Sequence, residues 1–349
     1  MKRWALRAAL GVALALLALT FVNASWIAPD PKGAAKLISH RGLYQLYDRT
    51  DLGRDTCTAN RMDPPYHAYL ENTVESVLRA DALGAAMVEV DIAPTSDDKL
   101  VVFHDWTLDC RTEGVGPVRE ATLGQLKQLD IGYGYTADGG ETFPFRGEFV
   151  GAMPTFVELV RELPRHARLM VNFKSGDAEE ADLLAQAFKE AGRNPAEAGD
   201  GFYGHVDPIN RIRELYPDAW AWSPQEAREC SEDYVLYGWS GYLPESCRGK
   251  TLLVPLNYQW AFWGWPNRLI ARMEAHGGRV LMIGPVGNNL PRGLTLPEQL
   301  EDIPDSFNGY VWIEDGFTIL PALYPSQDSR SQDEIEAANA ALERRRAAQ

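Results

Sequence analysis

Positive charge is in short supply in this sequence: 34 lysines and arginines stand against 49 aspartates and glutamates over 349 residues, a formal charge of -15 at pH 7. A nucleic-acid polymer or an anionic membrane surface must be met by clustered cations, so this balance argues against both as partners. A single anionic group on a small molecule can still be held locally by a few basic side chains. Cysteine is scarce too, with four residues, and no glycine-rich dinucleotide loop is present, which removes the usual signature of nicotinamide or flavin binding. What remains is ordinary for a packed protein: 45% hydrophobic and 24% charged residues exclude disorder as the default reading.

The N-terminus is targeting sequence rather than fold. Lys2, Arg3 and Arg7 precede an uncharged apolar run over residues 8–22, and Val22-Asn23-Ala24 offers small residues at the positions a signal peptidase reads. Residues 1–24 are therefore expected to be a signal peptide or an N-terminal membrane anchor, the run being somewhat short of the roughly 20 residues of a spanning helix. Either fate exports the folded part, to the periplasm, the exterior or the outward membrane face. An oxidising compartment makes Cys57, Cys110, Cys230 and Cys247 candidates for two disulfides. Of the three pairings, Cys57 with Cys110 and Cys230 with Cys247 are favoured, since the first pair flanks the candidate site and the second closes a short local loop. Free buried thiols are the alternative.

Beyond the leader, short β-like runs alternate with helical ones, as expected of parallel strands joined by crossover helices. The predicted strands cover residues 36–39, 86–92, 168–173, 201–205, 219–223, 251–256, 279–283 and 310–313. Helices fit at 73–83, with Asn72 and Glu75 as a capping-box-like start and Gly84 as a stop, and at 178–191. Eight such units suit a closed (β/α)8 TIM-type barrel over residues 33–323 better than an open doubly wound sheet. A further run, 100–103, follows residue 92 too closely for a crossover. It is expected to return as a hairpin about Ser96, Asp97 and Asp98, laying His104 near Asp91. Residues 326–349 read as a solvated helix or loose polar tail without chemistry.

Side chains alternate along a strand, so Glu89 and Asp91 share one face of 86–92 while Val88, Val90 and Ile92 share the other. In a barrel wrapped by helices the carboxylates point inward, near the strand ends where such folds carry their sites. Two neighbouring buried anions need a cation between them, and hard oxygen ligands suit Ca²⁺ or Mg²⁺; a buried salt bridge to Arg or Lys is the plain alternative. Asn172 and Lys174 repeat the pattern on the next strand. His40 and Arg41 end the first strand, and His104-Asp105 ends the hairpin. One histidine alone is commonly structural, but two converging on an acidic pair point to proton transfer.

The set His40-Arg41-Gly42, Glu71-Asn72-Thr73, Glu89-x-Asp91, residues 101–105 and Lys174, in this order and spacing, resembles the glycerophosphodiester phosphodiesterase family. Leu108 with Arg111-Thr112 and the segment 310–315 are similar to that family's later segments. From 201 to 290 the likeness is architectural only. The resemblance implies His40 and His104 as general acid and base, Glu89 and Asp91 as metal ligands, with Asn172 beside them and Glu71 in or next to the metal's shell. It implies Arg41 and Lys174 as phosphate contacts and a small phosphodiester or phospholipid head group as substrate, a membrane being met only through the N-terminal segment. The implied reaction is metal-dependent hydrolysis of a glycerophosphodiester to glycerol phosphate and an alcohol.

Two departures stand out. Asn172 occupies a position where the family usually has an acid, and its carbonyl brings no charge. The long stretch 43–70, which holds Cys57, is expected to shape substrate entry, braced by a disulfide to Cys110. Competing readings are a phospholipase or sphingomyelinase D-like enzyme acting on intact lipid, and a barrel that binds a phosphorylated ligand without turnover. Trp260, Phe262, Trp263 and Trp265 are read as packing at a helix start rather than as a lipid-contacting surface.

Overall fold

The computed structural model describes residues 2–53, 56–287 and 292–347. Nine strands are formed among them: β1 (Lys36–Ser39), β2 (Met87–Pro94), β3 (Leu100–Val102), β4 (Leu169–Phe173), β5 (Gly201–Gly204), β6 (Trp220–Trp222), β7 (Thr251–Pro255), β8 (Arg279–Ile283) and β9 (Tyr310–Ile313). The helices are α1 (Lys2–Asn23), α2 (Val74–Ala82), α3 (Leu123–Leu126), α4 (Phe156–Glu162), α5 (Glu179–Ala191), α6 (Pro195–Ala198), α7 (Val206–Leu215), α8 (Pro224–Tyr237), α9 (Asn267–Glu274), α10 (Gly316–Leu323) and α11 (Gln332–Ala347).

Eight strands run parallel in the order β6-β5-β4-β2-β1-β9-β8-β7, so the first strand pairs with the last and the sheet curls into a nearly closed barrel. The open seam lies between β6 and β7, where Trp220 Nε1 donates to Thr251 Oγ1 at 2.9 Å. β3 pairs antiparallel with the end of β2, Ile92 opposite Val102. This is the expected hairpin, and Asp98 at its apex takes the positive φ (55°) that such a turn requires. All eight expected barrel strands are present to within about two residues at each end.

Alternation along the strands sorts the core into two layers. Val88, Val90 and Ile92 join Leu169, Val171 and Phe173 under the helices, while Ile38, Met87, Met170, Leu281 and the aromatics Tyr203, Trp220, Trp222 and Trp312 fill the barrel. Each aliphatic side chain so buried contributes about 1.5–3 kcal/mol, and the same alternation forces Glu89 and Asp91 inward. Both disulfides have the expected pairing, Cys57 with Cys110 and Cys230 with Cys247.

Three local expectations are corrected. Helix α2 is capped by Thr73, whose hydroxyl accepts from Ser76 N–H at 3.2 Å, and not by Asn72, which the fold turns toward the barrel mouth. The C-terminal segment is not loose: α11 buries Ala338, Ala341 and Leu342, and Arg345 ion-pairs with Asp315. The aromatic group divides, with Phe262 buried and Trp265 packed on the core, whereas Trp260 is 81% exposed and Trp263 42% exposed. In the 43–70 segment, Ala59, Met62 and Leu70 pack with Tyr135, Phe145 and the Cys57–Cys110 bridge. Arg54 and Asp55 in that segment, Leu290 at the end of the architectural stretch, Met1 in the leader, and Ala348 and Gln349 in the tail lie outside the described residues.

Candidate active site

The site is built at the C-terminal ends of β1, β2, β4 and β9, where neighbouring strands in register deliver side chains to one mouth. Ser39 is opposite Ile313, so the next residues out, His40 and Glu314, become neighbours; His40 Nδ1 lies 2.7 Å from Glu314 Oε2. Glu314 also accepts from the Tyr44 hydroxyl and from the Gly293 N–H at 2.9 Å. Burial would raise its carboxyl, but His40, the Arg49 charge and the Tyr44 hydroxyl hold it well below the usual range. An ionised partner fixes His40 with Nδ1 protonated, leaving Nε2 for chemistry, 3.9 Å from Glu89 Oε2.

His104 is arranged in parallel fashion. Its Nδ1 lies 2.6 Å from Asp105 Oδ1, and Asp105 in turn pairs with Arg111, whose Nε is 2.9 Å from Oδ2. Burial, reinforced by the Arg41 charge, pushes the His104 imidazole down to about 4. Lys174, on the barrel side of β4, donates Nζ to the His104 carbonyl and is lowered by burial to about 8. Two imidazoles therefore each present Nε2, each held from behind by a carboxylate.

Between them lies a dense charge cluster. Arg41 adopts φ 56°, unusual for a residue with a side chain, and Gly42 follows at φ 75° with the α2 backbone so near that a Cβ would meet Ser76. This turn aims the Arg41 N–H at Glu89 Oε2 (2.8 Å) and its guanidinium at Glu71 Oε1 (3.0 Å) and Asp91 Oδ2 (3.4 Å). Glu89 also accepts from the Tyr203 hydroxyl at 2.7 Å. Asp91 accepts from Asn72 Nδ2 at 3.0 Å and Asn172 Nδ2 at 2.8 Å, the latter being its register partner on β4. Burial, then the adjacent Asp91 charge, pushes Glu89 up to about 7. Asp91 would also be raised by burial, but His104, Lys174, Arg41 and His40 pull it far below the normal range. Glu71 is shared by Arg41, Arg111 (3.0 Å) and the Tyr135 hydroxyl (2.9 Å); burial would raise it, but the Arg111 and Arg41 charges, with His104, outweigh that and lower it.

A divalent cation needs several free oxygens converging on one point. Here every carboxylate oxygen of Glu89, Asp91 and Glu71 already has a donor or ion-pair partner, and the Asn172 amide presents hydrogen rather than oxygen to Asp91. Among the described residues no cluster of three or more carboxylate, histidine or cysteine side chains is placed to hold a metal ion. The donor set as folded does not fit a dication: the Asn172 amide would have to turn and Arg41 withdraw.

All the residues singled out from sequence (His40, Arg41, Glu71, Glu89, Asp91, His104, Asn172 and Lys174) fall in or beside this one mouth. Sequence reasoning missed Glu314, Tyr203 and Arg111 as parts of it. Glu314 was within reach, since it follows its strand as His40 follows the first. Tyr203 carries no spacing signal, because it arrives from a distant strand; Arg111 stands in a segment similar to the family's, but nothing in its loop position names the carboxylates it meets.

The barrel mouth thus gathers two carboxylate-backed histidines, an arginine and a lysine, groups able to exchange protons and to meet negative charge. Residues 40–192 match the model of the glycerophosphoryl diester phosphodiesterase family. The chain is 34% identical over 110 residues to a glycerophosphodiester phosphodiesterase of Bacillus subtilis, covering 31% of this chain and 36% of the relative. With the enzyme of that name from Caldanaerobacter subterraneus it shares 37% over 106 residues, 30% of this chain and 40% of the relative. The chain thus spans well under half the length of these two relatives. Among solved structures it resembles a glycerophosphoryl diester phosphodiesterase domain from Mycobacterium tuberculosis (TM-score 0.55, 18% identity, 84% of this chain and 99% of that one). It also resembles a phosphodiesterase of Oleispira antarctica in complex with the product sn-glycerol-3-phosphate (TM-score 0.51, 18% identity, 85% and 98%). At such identity these are likenesses of fold.

Proposed function

We propose that the chain hydrolyses glycerophosphodiesters to glycerol phosphate and an alcohol by acid–base catalysis between His40 and His104. The observation that carries this reading is the pair of imidazoles, each tied through Nδ1 to a carboxylate (Glu314 at 2.7 Å, Asp105 at 2.6 Å), around one cluster containing Arg41 and Lys174. His104, neutral at pH 7 because burial pushes it to about 4, accepts the proton of the attacking hydroxyl. His40, which must carry a proton on Nε2 as well as Nδ1 for this step, gives the Nε2 proton to the leaving oxygen and is recharged from solvent as His104 releases the proton it took, while Glu314 and Asp105 hold the two rings in the direction this requires. Arg41 and Lys174 supply positive charge where the phosphoryl oxygens gain negative charge. Export of the folded part is the accompanying proposal, supported by the apolar helix over Arg3–Asn23 and the two disulfides.

The test is release of glycerol phosphate from glycerophosphocholine by the purified chain, supplied in turn with Ca²⁺, Mg²⁺ and Mn²⁺. Turnover is expected, and His40→Ala and His104→Ala should each lower it by about a hundredfold or more with the fold intact by circular dichroism. Full activity in either variant removes the assignment. A chain that binds the diester and cleaves none under any of the three metals is a binding barrel.

A further inference from the structure

A cavity of about 780 Å³ opens beside the acid–base site, and nothing in the proposed hydrolysis uses it. Its inner end is formed by Tyr203, Trp222 and Trp312. Tyr203 donates to Glu89, and the Trp312 ring lies 5.4 Å from that of His40, so the cavity begins where the phosphodiester would be held. It then runs past Leu253 of β7 and Leu281 of β8 to Val235, Tyr258 and Val286 at the surface. The wall is predominantly apolar, and its size falls within the range of about 300–1,000 Å³ typical of sites that enclose a ligand.

Arg228, Ser231, Glu232 and Arg292 are the polar members of this lining; against the rest of the wall a bare glycerol or head-group alcohol gains little, because its hydroxyls give up water there without replacement. A hydrocarbon chain gains with every methylene that enters. The outer rim carries the same character. Trp263 Nε1 donates to the Val235 carbonyl, the exposed Trp260 ring lies 6.2 Å from Tyr258, and Trp239 stands beside them half-exposed. The membrane-length helix α1 leaves the domain next to this rim: Asn23 donates to the Trp239 carbonyl at 2.7 Å, and Arg272 to the Val22 carbonyl at 2.8 Å. Amphipathic aromatic rings at the end of an apolar helix are the usual furniture of a bilayer interface.

We infer that this cavity holds the acyl chain of a single-chain glycerophosphodiester lipid, so that the preferred substrate is the monoacyl diester and not its fully deacylated form. The inference rests on the phosphodiesterase reading above. In the step, a water oxygen bonds to phosphorus, the bond from phosphorus to the head-group oxygen breaks, and one water proton ends on that oxygen. The products are an acylglycerol phosphate and the free alcohol.

The experiment uses the full chain in phosphatidylcholine nanodiscs and reads choline release from palmitoyl lysophosphatidylcholine and from glycerophosphocholine. The expected kcat/KM is at least tenfold higher for the acylated substrate. Leu253→Trp, which fills the cavity away from the histidines, should remove that preference while leaving glycerophosphocholine turnover unchanged. Equal or lower kcat/KM for the acylated diester, or equal losses on both substrates in Leu253→Trp, overturns the inference and leaves the phosphodiesterase reading intact. A second measurement does not depend on turnover: lysophosphatidylcholine bearing a diazirine in its acyl chain should label peptides from β7, β8 and the 256–262 segment, and less so in Leu253→Trp. Label confined to α1 overturns the inference. Label in the cavity from a chain that cleaves neither diester upholds the acyl site and removes the phosphodiesterase reading instead.

Discussion

Replacing Arg111 by methionine tests how the site's buried charge is held. The guanidinium is almost fully enclosed and makes ion pairs with Glu71 at 3.0 Å and Asp105 at 2.9 Å, besides hydrogen bonds to the Tyr135 hydroxyl and Thr58 Oγ1. Methionine fills much of the same volume but leaves both anions short of a cation. Glu71 keeps Arg41, whereas Asp105 keeps only His104, so the loss is closer to one broken buried pair than to two: about 3–5 kcal/mol. The sign of its pH dependence follows from the two carboxyls. In the parent both are held below their unfolded values, Glu71 by Arg111 and Arg41 against the effect of burial, and Asp105 by Arg111 and His104 against the same effect. Their stabilisation is present above the unfolded carboxylate range and is lost as pH falls through the folded values. In the variant only His104 and the Arg41 charge still oppose burial at Asp105, which then takes up a proton more readily when folded than it does in the parent. The gap between the two proteins should be widest at pH 7 and shrink as pH falls toward 4. Urea unfolding followed by tryptophan fluorescence at both pH values measures it. A gap below about 1 kcal/mol at pH 7, the range of an exposed pair, or a gap that does not change with pH, refutes the reasoning.

Further outcomes follow from other parts of the molecule. His67 is buried, with Nδ1 accepting from Gln45 and from the Tyr69 N–H, and burial lowers it to about 4. Because its unfolded form binds a proton first, stability should fall by roughly 3 kcal/mol as pH drops from about 6.5 to 4. Replacing His67 by glutamine should flatten that slope in pH-dependent unfolding, and an unchanged slope would show the proton goes elsewhere. Asn172→Asp places a second carboxylate opposite Asp91 and should raise the affinity for Ca²⁺ or Mg²⁺ in calorimetric titration, with an unchanged affinity placing position 172 outside any cation site. Cys57→Ala with Cys110→Ala opens a loop of 53 residues, which on chain-entropy grounds costs about 4 kcal/mol. A drop under about 1 kcal/mol in urea unfolding would mean that the packing of Ala59, Met62 and Leu70 holds this loop by itself.

Much of the fold was legible because its signals are local. The barrel strands announce themselves by β-branched runs between turns, and the inward face of β2 is dictated by strict alternation of Val88, Val90 and Ile92 with Glu89 and Asp91. His40, Arg41, His104 and Lys174 were legible because each stands at the end of a readable strand. What stayed hidden depends on contacts between distant elements. Arg111 looks like one more loop arginine until the fold brings Glu71 and Asp105 to it, and Tyr203 like a strand aromatic until Glu89 is opposite. Asn72 satisfies the pattern of a helix cap, but its positive φ (58°) and the pull of Asp91 send its side chain to the barrel instead. α11 reads as solvated because two of its three buried positions are the small Ala338 and Ala341, which with Leu342 alone leave almost no apolar stripe to detect.

The pairing of β1 with β9 has a consequence for biosynthesis. His40 meets the carboxylate that orients it 274 positions later in the chain, and the first strand's ladder cannot close until residues 310–313 have left the ribosome. A nascent chain held at a membrane by its leading helix would carry that strand edge unpaired through nearly the whole of translation. Activity would then arise all at once, with the arrival of the final strand, and any truncation before Tyr310 would yield a protein that has most of its residues and no working centre.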